Sequence, residues 1–344
     1  MAEDKKSTGT LLQLYLALVW LGTSLYTAWA TIKGSGEPTG ALGEAASALP
    51  GVIASTLVTG AGIGSAASSR FNSALGRGLA GVGMGAAFGL VTALGIRWAY
   101  GPGESIMVLA ITVGIASVLG GALAVLPNDV LEAALWATTW VFFAGVILGV
   151  LQTAGVNVLA GSPTADAAAK AEATTRFIYG GSVLTGLMGG FYASRSLNSE
   201  KRSLLWYVVA GGLPGGLLVL AEWLTRLGGQ SLVDLVNGFS ADDPALNGLV
   251  DAARLRHGLI VVVVGVVIAL IGGVRANARI TREEAEEARQ EAEEARLEAE
   301  EARREAEEEA REAEEAARAQ AARHWEQSQH PNWQQSPPPS RSQW

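Results

Sequence analysis

The chain has 344 residues, of which 49% are apolar, 43 are glycine and none is cysteine, and its mean hydropathy is +0.26. That composition excludes an ordinary soluble enzyme, and the missing thiols exclude disulfides, thiolate metal sites and cysteine nucleophiles. The net charge of −8 is local: residues 1–276 hold 15 basic and 15 acidic side chains, whereas residues 277–344 hold 10 and 18. A neutral apolar body with an acidic appendage follows, and no basic cluster points to nucleic acid.

Eight segments approach the length of about 20 apolar residues needed to cross a hydrocarbon core as helix. In chain order they are roughly 11–31, 48–67, 78–98, 105–126, 130–151, 177–194, 204–224 and 258–274. The first also fits a signal peptide, with Lys5-Lys6, the apolar run from Leu11 and Ala28-Trp29-Ala30 at an A-x-A site. Its long apolar run and aromatic end favour a retained span. Trp29, Trp98, Tyr100 and Trp223 fall near span ends on one side, and Trp206 and Tyr207 on the other. Amphipathic rings prefer such interfaces. Eight crossings place both termini on one side, and the excess of Lys and Arg on that side makes it cytoplasmic, in a cell (inner) membrane.

Thr56–Ser73 recurs without a gap at Ser182–Ser199, with seven identities that include Thr59/Thr185, Gly60/Gly186 and Gly64/Gly190. Gly85 and Gly89 meet Gly211 and Gly215 at the same offset, and ITVGIASVLGG in the fourth span loosely matches VVVGVVIALIGG in the eighth. The expected fold is therefore all-α and polytopic, with eight transmembrane helices as two tandem four-helix repeats, residues 1–127 and 128–275. An even-span unit inserts the same way twice, so the repeats would be related by rotation about the membrane normal.

The second and third spans of each repeat carry paired glycines four residues apart: Gly60/Gly64 and Gly85/Gly89, then Gly186/Gly190 and Gly211/Gly215. Such pairs share one helix face and let another backbone approach, so Gly60, Gly64, Gly85, Gly89, Gly186 and Gly190 are assigned to helix packing. Gly211, Gly212, Pro214, Gly215 and Gly216 surround a proline that removes a helical hydrogen bond. A kink or break there marks the expected substrate pathway.

Catalytic chemistry is sparse. The expected span interiors are nearly free of charge, and Arg97 and Glu222 stand near the outer ends of the third and seventh spans, placed to snorkel or to pair across the pseudo-symmetry axis. Asn128 or Asp129 suits an N-cap of the fifth span, and Ser240-Ala-Asp-Asp-Pro244 suits the start of a surface helix. Asn72-Ser73 and Asn198-Ser199 suit caps of the helices that follow them. No histidine has a second ligand at metal spacing, and no phosphate loop or nucleophile elbow occurs. Neither an enzyme, a metal nor a cofactor is expected.

From residue 276 to 324 a charged Ala/Glu/Arg helix is expected to continue the last span, reaching about 70 Å at 1.5 Å per residue into the cytoplasm. Its alanines alternate by three and four, as in a heptad seam, but alanine buries little, so a lone helix and a weak coiled coil are both compatible. Residues 325–344 lack apolar periodicity and read as a disordered tail. Its Trp325, Trp333 and Trp344 suit short anchors for a cytoplasmic protein partner. Two functions compete. One is a carrier or pathway for a small uncharged solute; the other is a membrane anchor or scaffold whose helix and tail recruit that partner. Both place the body in a lipid bilayer, and both are compatible with homo-oligomers.

Overall fold

Backbone amides in an apolar chain have to satisfy one another, and helices do so locally. A computed structural model describes residues 2–34, 38–100, 104–198, 201–237 and 252–329. They form α1 (Ala2–Gly34), α2 (Pro38–Ser68), α3 (Ala74–Tyr100), α4 (Glu104–Ala122), a 3-10 turn (Leu123–Val125), α5 (Asn128–Leu159), α6 (Ala167–Ser196), α7 (Leu204–Asn237) and α8 (Ala252–Gln329). The described residues include no strand. Two units divide the chain, residues 1–278 and residues 279–344.

Among the described residues, six helices hold stretches long and apolar enough to cross a membrane: Leu49–Ser68, Ala74–Ala99, Ile106–Val125, Asn128–Leu159, Leu204–Gly228 and the apolar start of Arg254–Glu326. The other two expected spans are helical in α1 and α6. Their hydroxyls bond back to their own helices: Thr23 Oγ1 donates to the Val19 carbonyl at 2.7 Å, and Thr185 Oγ1 to the Gly181 carbonyl at 3.0 Å. Such bonds lower the cost of hydroxyls in lipid without raising hydropathy.

The helix α2 is the axis of the first unit. Its apolar window is 78% buried, against 22% for α3, so α2 is surrounded by protein while α3 lies at the periphery. Ile53, Leu57 and Ala61 of α2 are fully buried in a core with Ala17 of α1, Leu131 and Leu135 of α5, and Leu217 and Leu224 of α7. Leu90, Val91 and Trp98 of α3 and Val150 of α5 face outward, an apolar surface that lipid rather than water would cover.

Two sets of helices pack internally, α1–α4 on one side and α5–α8 on the other, and meet through α2 with α5 and α7, and through α4 with α7. Polar side chains bridge chain-distant helices: Gln13 Nε2 of α1 donates to the Glu132 carbonyl of α5 at 3.0 Å, and Thr59 Oγ1 of α2 to the Ala17 carbonyl of α1 at 3.1 Å.

Helix starts follow side-chain chemistry in part. Asp166 caps α6, its Oδ1 accepting from the Ala169 amide at 2.7 Å, and Ser73 Oγ accepts from the Gly76 amide at 3.1 Å. The expected cap at Asn128 or Asp129 is not formed. Pro127 takes the cap position of α5 without a side-chain bond, and Asp129 pairs with Arg202 at 2.8 Å. The ion pair uses the carboxylate that the cap would need. Ser199 and the helix expected from Ser240 lie outside the described residues.

Candidate functional site

Where the two helix sets meet, small residues leave space. A cavity of about 600 Å³ lies between α2, α5, α6, α7 and the start of α8. Its wall is apolar at Ala54, Leu148, Phe177 and Leu218, and polar at Gln152, Glu222, Arg254 and His257. Ala54, Gly145, Leu218 and His257 also border a second cavity of about 250 Å³, which reaches Pro214. Trp20, Val58, Phe142 and Val146 carry that second wall into a third cavity of about 250 Å³ between α1 and α5. The three adjoin, polar at one end and apolar along the rest. Trp20 and Phe142 stack at 3.8 Å between their centroids where the second and third meet.

The polar end is charged, which corrects the expectation of a nearly charge-free interior. The Glu222 side chain is 4% exposed and accepts from Arg226 Nε, one helical turn on, at 3.1 Å. It does not snorkel, and it does not meet Arg97, whose Nη1 lies 3.5 Å from the Met107 sulfur. Helix length explains the difference: α7 continues to Asn237, well past the apolar stretch, so Glu222 sits inside the helix rather than at its end.

His257 Nδ1 lies 2.6 Å from Ser182 Oγ, tying α8 to α6. The same hydroxyl gives its one hydrogen to the Ile178 carbonyl at 2.7 Å, which leaves Nδ1–H as the donor to Oγ and turns Nε2 away from that bond. Arg254 Nη1 and Arg226 Nη2 are buried and have no hydrogen-bond partner among the described residues. A buried donor left unpaired costs about 1–3 kcal/mol, so the cavity end holds more donors than acceptors. No group of three His, Asp or Glu side chains among the described residues converges as a metal site.

Of the kink or break expected in the glycine-rich stretch of α7, the break is absent: the helix is continuous through Pro214. Pro214 is fully buried and lines the second cavity. Gly211 and Gly215 instead face α8: a Cβ on Gly211 would lie 2.6 Å from the Gly265 carbonyl, and one on Gly215 would lie 2.9 Å from the Gly258 carbonyl. Gly212 faces Val266, while Gly216 has open space where a Cβ would be.

The paired glycines place α4 against both α2 and α3. A Cβ on Gly64 would lie 2.8 Å from the Gly121 carbonyl, one on Gly85 2.6 Å from the Ser117 carbonyl, and one on Gly89 2.9 Å from the Gly114 carbonyl; Gly60 is closed off by Ser117. In the other set α8 lies against α6 and α7, with Gly190 closed by the Gly265 carbonyl at 2.5 Å and Gly186 by Val264 Cβ at 2.8 Å. The Gly265 carbonyl meets Gly211 as the Ser117 carbonyl meets Gly85, but it also meets Gly190, whose counterpart Gly64 meets Gly121. The two sets therefore agree in register at α3 and α7 and not at α2 and α6. The sequence match pairs Gly265 with Gly114 instead, about one helical turn away. Of the tail residues, Trp325 ends on exposed helix, and Trp333 and Trp344 lie outside the described residues.

Sequence reasoning missed Glu222, Arg254 and His257 as a group. They come from two helices joined by a long connection, and no local spacing brings them together. The only signal was the lone charge of Glu222 inside an otherwise apolar stretch, which in a membrane segment points to function.

Among the described residues, fold and site define an all-α membrane protein with a part-polar cavity that opens to the surface beside Gly149 and Gln152. No family model matches the chain, and neither a curated protein nor a solved structure is similar to it.

Proposed function

We propose that the protein is a membrane carrier in which eight helices form two tandem four-helix repeats, and that a small solute binds in the cavity between them. The observation that carries this reading is the position of the cavity. It lies where α2 of one set meets α5 to α8 of the other, the interface at which parallel-repeat carriers hold their solutes, with its charged end toward the ends of the apolar stretches. The like contacts of Gly85 with α4 and of Gly211 with α8 favour the duplication. In this reading α1 and α6 cross the membrane as well, both termini are cytoplasmic, and the protein needs no cofactor and performs no covalent chemistry. The uncharged solute expected from a charge-free interior gives way to one that meets Glu222, Arg254 and His257.

Filling the cavity tests the proposal. Leu218→Trp projects an indole into the first two cavities, so it abolishes solute movement in reconstituted vesicles while helicity is unchanged. Deleting residues 276–344 leaves movement intact. Movement that survives Leu218→Trp rejects the carrier.

A second reading keeps the body as an anchor. It is favoured by the exposed charged helix of residues 279–329, which ends near an exposed Trp325. Here the deletion abolishes function and Leu218→Trp is silent.

A further inference from the structure

The geometry points to an amphipathic monoanion, such as a medium-chain carboxylate, as the ligand of the cavity: its charge meets Arg254, and its apolar body runs past Leu218 toward Pro214. Charge is the first argument. Glu222 is the one carboxylate in the described wall, and Arg226 already neutralises it at 3.1 Å. Arg254 therefore stands at the same end without an anionic partner among the described residues, its Nη1 buried and unbonded. An acceptor is what this end lacks, and a charged acceptor satisfies a guanidinium best.

A single carboxylate matches the one guanidinium of the wall that has no acidic partner among the described residues, whereas a dianion would bring more charge than those residues balance. Shape is the second argument. Away from Arg254 and His257 the wall is Leu148, Phe177 and Leu218, and the adjoining cavity adds Val58, Phe142 and Leu217. A wholly polar anion would leave that surface unused, and a wholly apolar molecule would strand the donors. Water alone fits the polar end but gains nothing from the rest.

This proposal rests on the reading of the cavity as a solute site. Its test uses the full chain in lipid nanodiscs, titrated with hexanoate, 1-hexanol and hexylamine against empty discs. Hexanoate binds about tenfold or more tightly than the alcohol or the amine, the scale of a charge-assisted hydrogen bond. Affinity rises about fourfold per methylene from butanoate to hexanoate. Arg254→Gln removes the preference for the anion and leaves hexanol binding as it was, and Arg254→Lys restores part of the preference.

Equal binding of the three probes, an unchanged hexanoate affinity in Arg254→Gln, or no binding above empty discs overturns the proposal. Vesicle flux of hexanesulfonate, which does not cross as a neutral acid, separates the two levels. Arg254-dependent binding without flux ends the carrier and keeps the anion site. Flux of a neutral polyol that ignores Arg254 ends the anion site and keeps the carrier.

Discussion

Glu222 and Arg226 form a bond in which one partner is enclosed and the other remains about a third exposed, with side-chain exposures of 4% and 34%. Breaking a fully buried pair costs about 3–5 kcal/mol, and exposed pairs are worth little, so Glu222→Ala is expected to cost about 1–3 kcal/mol. Thermal unfolding in detergent reads this as a lower midpoint, and an unchanged midpoint would mean that water replaces the carboxylate. Tyr207 offers a milder case. Its ring is fully buried against Gly273, and its hydroxyl donates to the Leu197 carbonyl at 3.2 Å, joining α7 to the end of α6. Tyr207→Phe keeps the ring and leaves one carbonyl short of a donor, a loss of about 1 kcal/mol in the same assay.

The helices are held by backbone proximity more than by side-chain bulk. Where a Cβ would strike a carbonyl, the neighbour cannot yield without moving a whole helix. Gly85→Ala and Gly211→Ala therefore lower the unfolding midpoint even though alanine favours helix over glycine by about 1 kcal/mol. Gly83→Ala and Gly145→Ala, with nothing within 4 Å, keep or raise it. Equal effects at all four positions would refute close packing as the reason for these glycines.

Helical elements and the glycine pairs were legible in the sequence because both depend on spacing along one chain. The length of α7 was not: a hydropathy stretch ending near residue 224 hides a helix that runs on to Asn237, and so Glu222 was taken for an end residue. Pro214 lines the second cavity without breaking α7. Proline removes one bond to the Ala210 carbonyl, but close neighbours on α8 keep α7 helical on both sides of it. The grouping of Arg254 and His257 with Glu222 depends on how α6, α7 and α8 pack, and no spacing encodes that.

The described residues up to 278 form two helix sets that share a core through α2 and α7 and leave an uneven, partly open space between them. Six of the described helices have the apolar length to cross lipid. The proposal of eight turns on α1 and α6, whose hydroxyls bond back to their own helices. Should only one of the two cross, the count is seven and the termini separate; should either fail to cross, the correspondence between α1–α4 and α5–α8 loses its meaning. Because the chain has no native cysteine, single thiols report sidedness directly. The decisive measurement places one at Thr164, before α6, and another at Ser196, at its end, and labels intact cells with a membrane-impermeant reagent. The account predicts that the thiol at 164 labels from outside and the thiol at 196 labels only after permeabilisation. Labelling of both from the same side would contradict it.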